Sequence, residues 1–396
     1  MPRFEPFRGV VYNAEGGFVD DVIAPPYDVI SPDDRAALVA RSDCNAVRLE
    51  LPTADGAASP YDAAAALWQQ WLDERILVPD DEPAFFIYRM GFRDEAGRPR
   101  QTTGILGALA LEPPGEGIMP HERTTPKDKA DRLELLRATR CNLSPIWGLS
   151  TTAGLADLLD TPGPPDVRAT DADGVHHRMW RITQPGVVAA IREAVAAGSI
   201  VVADGHHRYE VALAYQAEAG AGTGGHDFIF AYVVPLAGDE VTVRPIHRLL
   251  SNGADASALR AVLERHFDLF EAEPVDATIA ARMDDAGALA LVLPEECWFL
   301  RPKPETVAAA GQDLDSSRLD VALADLPNVE VRFQHGWDLV EAAVKGGTAT
   351  AGVLLRPATM DQIAAIGRGG ERMPPKTTFF YPKLRTGMVF RSLDLS

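Results

Sequence analysis

Residues 200–215 read IVVADGHHRYEVALAY and join an apolar run to a helix-like run through a polar turn. Residues 200–203 are small or β-branched, as in a buried strand, and residues 209–215 carry apolar side chains at helical spacing. The first N–H groups of a helix lack intrahelical partners, and the helix dipole is positive at that end. The stretch therefore predicts a strand, a tight turn and a helix, with an anion or nucleotide site at the turn.

The turn consists of Asp204, Gly205, His206, His207 and Arg208. Glycine lets the backbone approach a ligand closely, and the three residues after it add donors for phosphate oxygens. Two other interpretations stay open. In one, the aspartate is an ordinary N-cap and the histidines are solvated. In the other, the aspartate and both histidines ligate a divalent metal, although adjacent histidines at a helix start point in different directions.

The composition is that of a globular protein with two or three lobes. The chain has 396 residues, of which 46% are hydrophobic and 24% charged, and its formal net charge is −19. This charge argues against nucleic acids and anionic membranes as partners, because both attract basic surfaces. The three cysteines form no CxxC pair, and the sequence contains no apolar stretch of about 20 residues. We expect a soluble cytoplasmic protein whose ligands are small molecules.

Turn and helix signals along the chain predict an α/β fold with a mixed sheet. Ser31-Pro32 and Ser59-Pro60 each predict the start of a helix. Further helices are predicted over residues 126–140 and 185–197, and a hairpin over residues 85–111. Two stretches, NAVRLEL at residues 45–51 and VTVRPIHRLL at residues 241–250, are predicted as strands.

Three regions are expected from this pattern. They are an N-terminal α/β region at residues 1–115, a core at 116–250 and a small C-terminal α/β lobe at 251–396. The last segment of the lobe is predicted to return to the site, because Lys376, Thr377, Thr378, Lys383 and Arg385 crowd beside three aromatic residues. The alternative is a C-terminal hairpin with solvated lysines.

His121 and Glu122 lie on a glycine- and proline-rich loop that leads into a predicted helix. On spacing alone, a solvated loop carboxylate is the simpler interpretation. An HExxH zinc motif is excluded, because Thr125 stands four residues after the histidine.

Several motifs resemble known families. PFRG, APPYDVIS, NAVRLEL, HERT and DGHHRYE resemble the uncharacterised prokaryotic domain-of-unknown-function family 1015 over nearly the whole chain. The MPHERT loop, DGHHRYEVAL and the terminal PPKTT resemble, in the same order, free-serine kinases of the ParB/sulfiredoxin-like fold. The second resemblance implies that a core of this fold carries an added N-terminal region and a small C-terminal lobe.

The kinase resemblance also implies roles for individual residues. Glu122 would be the base for a serine hydroxyl, with His121 and His207 as further catalytic residues. The DGHHR turn would hold the phosphates of ATP or ADP, and Asp204 would ligate Mg²⁺. Substrate contacts fall on Lys376, Thr377, Thr378 and, as a second polar pair at a strand end, His247 and Arg248.

These observations favour a small-molecule kinase acting on free serine or a similar hydroxyl metabolite. The main alternative is a ParB-like protein that binds nucleotide and regulates without phosphoryl transfer. A metal-dependent hydrolase is the third class, and a sulfiredoxin-like reductase is disfavoured because His206 stands where a cysteine is needed. Fold resemblance does not by itself decide between these classes.

Overall fold

The structure is a computed structural model that describes residues 1–54, 56–94, 97–113, 115–120, 126–161, 163–220, 222, 224–236, 241–253, 255–369 and 371–395. Its strands are β1 (Phe4–Glu5), β2 (Gly9–Tyr12), β3 (Leu77–Pro79), β4 (Phe85–Arg93), β5 (Pro99–Ala110), β6 (Ile118–Pro120), β7 (Cys141–Asn142), β8 (Ile146–Ser150), β9 (Val167–Thr170), β10 (His176–Ile182), β11 (Ile200–Asp204), β12 (Phe228–Pro235), β13 (Thr242–Pro245), β14 (His247–Ser251), β15 (Phe267–Ala272), β16 (Leu289–Val292), β17 (Cys297–Pro302), β18 (Glu330–Gln334), β19 (Ala351–Leu354), β20 (Thr378–Tyr381) and β21 (Phe390–Ser392). Its helices are α1 (Pro32–Arg41), α2 (Val47–Glu50), α3 (Pro60–Asp73), α4 (Pro126–Thr139), α5 (Pro185–Ala196), α6 (His206–Ala219), α7 (Ala256–His266), α8 (Ile279–Ala286), α9 (Pro304–Ala310), α10 (Asp315–Leu323), α11 (Trp337–Lys345) and α12 (Met360–Arg368).

The chain divides into two compact units. The first comprises the described residues of Met1–Pro120, Thr124–Thr242 and Pro382–Ser396, and the second those of Val243–Tyr381. The last segment of the chain therefore belongs to the first unit. The three-region division expected from the sequence stays a prediction.

The first unit is built on a mixed sheet in the order β6-β11-β8-β12-β5-β4-β10-β9, with β1 paired to β5. β11 runs parallel to β6 and antiparallel to β8, which places the strand before the DGHHR turn inside the sheet. Helix α6 buries Tyr209 and Ala212 in the same core as Ile200 and Val202 of β11. On the opposite side, α6 packs on α4 through Val211. A second sheet of the same unit has the order β3-β2-β21-β7.

The second unit contains an antiparallel sheet in the order β15-β17-β16-β19-β14-β18. Apolar side chains on its two faces form two cores, one with α8 and α11 and the other with α7 and α10. β13 pairs with β20 in a separate two-stranded ribbon. The predicted α/β class with mixed sheets is confirmed by the two units.

NAVRLEL, predicted as a strand, is instead the short helix α2. The reason is the fully buried Asn45. Its Oδ1 accepts a hydrogen bond from the Val47 N–H at 3.0 Å, and its Nδ2 donates to the Asp21 and Ile23 carbonyls at 2.8 and 3.1 Å. An asparagine that bonds the backbone two residues ahead favours a turn over an extended strand.

VTVRPIHRLL was also predicted wrongly as a single strand. It forms β13 and β14, which belong to different sheets. Pro245 ends the first strand, and a proline has no N–H with which to continue a ladder.

Within the described residues, no helix is long and apolar enough to cross a membrane.

Candidate functional site

The DGHHR turn begins at Asp204, the last residue of β11. The pairing of β11 with β8 shifts register between Val202 and Asp204. Gly205 follows as the N-cap of α6 with a φ of 88°, in the left-handed region that favours glycine. The interpretation of Asp204 as an ordinary N-cap is therefore wrong, and the N-cap residue has no side chain with which to cap the helix.

Asp204 forms ion pairs instead. Its Oδ2 accepts a hydrogen bond from Lys383 Nζ at 3.0 Å and lies 3.6 Å from Arg208 Nη2. Burial would raise the pKa of Asp204, but Lys383 and then Arg208 outweigh it, so the pKa of this carboxyl lies well below its usual value. The aspartate is thus ionised at neutral pH and anchors two cations at the start of α6.

Arg208 is held from two sides. Its Nη1 donates a hydrogen bond to the Pro145 carbonyl, and its Nη2 faces Asp204. Its Nε is buried and has no hydrogen-bond partner among the described residues. A Cβ at Gly205 would lie 3.0 Å from that Nε and 2.9 Å from Ile146 Cγ2, so glycine is required there for space as well as for its φ angle.

A second carboxylate, the fully buried Glu50, lies near Arg208. Its side chain is 3% exposed, and its Oε1 accepts a hydrogen bond from Ser144 Oγ at 3.1 Å. Arg132 Nη1 lies 3.9 Å from Oε1 but donates to the Glu50 carbonyl oxygen at 2.7 Å, and its guanidinium covers the Tyr27 ring at 4.4 Å. Glu50 Oε2 has no hydrogen-bond partner among the described residues.

The electrostatics of Glu50 are opposite to those of Asp204. Burial raises the pKa of Glu50, and Arg132, Arg208 and Ser144 lower it without cancelling that effect. Glu50, Arg132, Ser144 and Arg208 all line one cavity of about 50 Å³. Most of the other side chains that line this cavity are apolar.

Sequence reasoning missed Glu50, Arg132 and Tyr27 as neighbours of the turn. Two of them lie within the motifs NAVRLEL and APPYDVIS, which carried the family resemblance only. A glutamate in a mostly apolar motif was an available signal, since buried carboxylates usually have a specific partner. The position of Arg132 depends on the packing of α4, which spacing does not reveal.

Of the predicted substrate residues, Thr377 and Thr378 are buried in the second unit. Thr377 Oγ1 donates to the Pro374 carbonyl at 2.8 Å and lies 3.1 Å from Ser316 Oγ. Lys376 has a φ of 57°, an uncommon angle for a residue other than glycine. Their substrate roles stay predictions.

His247 and Arg248 are also buried in the second unit, where they make contacts within the protein. His247 Nδ1 accepts a hydrogen bond from the Leu355 N–H at 3.1 Å, and Arg248 Nη1 donates to the Ile246 carbonyl at 2.7 Å. Burial, followed by His335 and Arg248, lowers the pKa of His247 to about 3. These contacts stabilise the sheet, and a role in substrate binding stays a prediction.

The predicted catalytic pair His121 and Glu122 lies outside the described residues. Glu210, in the first turns of α6, forms an ion pair with Lys129 of α4. In the described part of the chain, no group of three or more His, Cys, Asp or Glu residues is placed to hold a metal ion. The metal-ligand interpretation of Asp204, His206 and His207 therefore has no geometric support there.

The fold and the turn define an α/β protein with a polar strand-to-helix turn at its core. A family model described as "Protein of unknown function (DUF1015)" matches residues 4–322, and the chain belongs to this family. The membership predicted from the N-terminal motifs and DGHHRYE is thereby confirmed. No curated protein matches the chain.

Solved structures show distant likeness. A conserved hypothetical protein from Pyrococcus furiosus is 15% identical over 68% of this chain and 89% of its own, with a TM-score of 0.37. A free serine kinase in complex with AMP is 16% identical over 67% and 84%, with a TM-score of 0.37. C-terminally truncated SbnI from Staphylococcus aureus is 11% identical over 71% and 85%, with a TM-score of 0.40.

Proposed function

We propose that this protein is a small-molecule kinase that transfers a phosphoryl group from ATP or ADP to the hydroxyl of free serine or a similar metabolite. The observation that carries the proposal is the turn itself: β11 ends at Asp204, and a left-handed Gly205 opens α6 beside Arg208. This arrangement supplies a helix N-terminus and a cation, which together suit phosphate groups.

The residues divide between the steps that phosphoryl transfer requires. The start of α6 with His206, His207 and Arg208 would hold the phosphates and stabilise their charge. Glu122 would accept the hydroxyl proton, with His121 and His207 assisting, and Lys376, Thr377, Thr378, His247 and Arg248 would serve the acceptor.

Mg²⁺ is expected with the nucleotide, where it would neutralise charge between phosphate groups. The negative charge of Asp204 suits such an ion. Lys383 and Arg208 maintain this charge because they lower the pKa of the carboxyl. Because Lys383 bonds Oδ2, a metal bound by Asp204 would use the other oxygen or displace the lysine.

A product assay tests the proposal. Purified protein, Mg²⁺, ATP or ADP and a panel of hydroxyl amino acids are incubated, and products are identified by mass spectrometry. Glu122→Gln should reduce turnover by about 10²–10⁴-fold while leaving nucleotide affinity within about twofold. Retained turnover in this variant would assign the base to another residue.

Nucleotide binding is tested separately by calorimetry. Arg208→Ala should weaken ATP or ADP binding by about 1.5–3 kcal/mol, as expected for a lost charge-assisted hydrogen bond. Arg137→Ala is the matched control, because Arg137 pairs with Glu134 and Glu218 on exposed surface. Tight nucleotide binding without transfer to any amino acid, sugar or polyol would replace the kinase with a nucleotide-dependent binding protein.

A further inference from the structure

A pocket in the second unit contains an unusual arrangement of charges. Its volume is about 220 Å³, and the lining includes Asp284, Asp313, Asp315, Arg318, Arg356 and Thr377. Three carboxylates and two guanidinium groups thus border a space of the size of a small metabolite. We call it the Asp315 pocket.

Asp315 organises the pocket. Its side chain is 4% exposed and accepts four hydrogen bonds. Arg356 forms a bidentate pair with it, Nε to Oδ2 at 2.9 Å and Nη2 to Oδ1 at 2.7 Å, and the Arg356 backbone N–H adds a third contact at 3.1 Å. Arg318 Nη1 supplies the fourth at 3.2 Å. One buried carboxylate therefore sets the orientation of both guanidinium groups.

Both arginines place positive charge on the lining, and Arg356 retains capacity for a further partner. The Nε of Arg318, a residue that is 9% exposed, is buried and has no hydrogen-bond partner among the described residues. Arg356 keeps 24% of its side chain exposed although Asp315 holds it firmly. The exposed part of Arg356 can therefore donate charge-assisted hydrogen bonds to a ligand oxygen.

The remaining carboxylates favour a positive group in the same ligand. Asp313 pairs with Arg318 Nη2 and accepts from Gln362 Nε2 at 3.1 Å, yet 73% of its side chain is exposed. Asp284 is a further carboxylate in the lining. A simple anion would be repelled by these aspartates, and a simple cation by the two arginines. A zwitterion satisfies both sets of charges.

We propose that the Asp315 pocket binds the zwitterionic head of a free α-amino acid, with its carboxylate on Arg356 and Arg318 and its ammonium on Asp313 and Asp284. Thr377 and Ser316 place hydroxyl groups beside this head, their oxygens 3.1 Å apart. Thr377 belongs to the PPKTT motif. The choice of a hydroxyl amino acid as ligand rests on the proposed function, whereas the recognition of a zwitterion rests on the pocket alone.

Calorimetry without nucleotide tests the assignment with L-serine, N-acetyl-L-serine and L-serine methyl ester. The two analogues each remove one charge of the head. L-serine should bind to the wild-type protein, and each analogue should bind at least about tenfold more weakly. Equal binding of all three compounds, or no heat from L-serine up to about 10 mM, would overturn the proposal.

Arg356→Lys keeps the positive charge but loses the bidentate geometry, so it should also weaken L-serine binding by about tenfold or more. Arg301→Lys is the matched control, because Arg301 lies on β17 and contacts the Ala286 carbonyl and the Phe270 ring. If Arg356→Lys does not fold by circular dichroism, Gln362→Ala takes its place, with weaker binding expected from a displaced Asp313. Unchanged affinity in a folded variant would contradict the assignment.

This calorimetry and the product assay together separate this inference from the proposed function. Binding of L-serine without any phosphorylated product would retain the pocket and remove the kinase. Phosphoryl transfer to a hydroxyl compound with no affinity for amino acids would retain the kinase and remove the pocket.

Discussion

Asp204 and Glu50 are two partly or fully buried carboxylates of the first unit, and both lie within electrostatic range of Arg208. Asp204 has Lys383 at 3.0 Å and Arg208 at 3.6 Å, and its pKa is lowered. Glu50 has its nearest cation at 3.9 Å, one oxygen without a partner among the described residues, and a raised pKa. Close cations therefore decide whether a carboxylate withdrawn from water keeps its charge.

Because their pKa values shift in opposite directions, the two carboxylates should affect the stability of the fold differently. Asp204 behaves as a fixed charge that organises the turn. Glu50 behaves as a group whose ionisation the protein resists, held in place by Ser144 and by the Arg132 guanidinium that bonds its backbone. Four substitutions test the comparison, in order of decreasing expected effect.

Arg132→Met should have the largest effect. It removes the main cation from the buried Glu50 together with the hydrogen bond to the Glu50 carbonyl oxygen. Because Arg132 also pairs with Asp131 and covers the Tyr27 ring, the substitution should cost about 3–5 kcal/mol of unfolding free energy, measured by urea denaturation. Arg137→Met on the exposed side of α4 is the control and should cost less than about 1 kcal/mol. Similar losses of unfolding free energy in the two variants would mean that the contacts of Arg132 with Glu50 do not stabilise the fold.

Gly205→Ala disturbs both carboxylates through Arg208. The φ of 88° strains any residue other than glycine, and the added Cβ meets Arg208 Nε and Ile146 Cγ2 at 3.0 Å or less. We expect a loss of about 2–4 kcal/mol in the unfolding free energy. Gly186→Ala, where a Cβ meets nothing within 4 Å, is the control. If Gly205→Ala were as stable as the wild type, the space beside Gly205 would not be filled by Arg208 and Ile146.

Lys383→Met isolates the charge partner of Asp204. A carboxyl whose pKa is lower in the folded state contributes stability that is present above its unfolded pKa, near 3.9, and is lost as the pH falls through the folded pKa. Asp204 keeps Arg208 and is 23% exposed, so we expect a loss of about 1–2 kcal/mol at pH 7. The deficit should shrink in acid. Urea titrations measure the deficit, and an equal deficit in an Asp204→Asn background would contradict an electrostatic cause.

Glu50→Gln should have the smallest effect. A carboxyl whose pKa is raised contributes stability that is fully present below its unfolded pKa, near 4.3, and is lost as the pH rises through the folded pKa. Glutamine does not ionise, so this loss does not occur in the variant. Its unfolding free energy should match that of the wild type near pH 4 and should equal it, or exceed it by less than about 1 kcal/mol, at pH 8. A marked destabilisation confined to high pH would show that the ionised carboxylate is needed.

Local signals predicted the elements around the turn well. Ser31 and Ser59 accept hydrogen bonds from Asp34 N and Asp62 N, and helices α1 and α3 begin at the prolines that follow. The residue pattern of 200–215 predicted β11 and α6, because a run of small or β-branched residues and the helical spacing of apolar residues are signals that act within a few residues. The strand prediction for NAVRLEL was wrong because a contact distant in sequence intervened at Asn45, whose amide bonds the Asp21 and Ile23 carbonyls.

By itself, the sequence determined the α/β class, the family and the position of a polar turn after a buried strand. These properties follow from patterns that lie within single motifs. Only the tertiary structure decided that Lys383 pairs with Asp204 and that Glu50 and Arg132 lie near Arg208. Lys383 follows Asp204 by 179 positions, and no local pattern encodes such a pairing. The charge state of a carboxylate depends on its burial and its nearest cation, and both are set by packing between segments far apart in the chain.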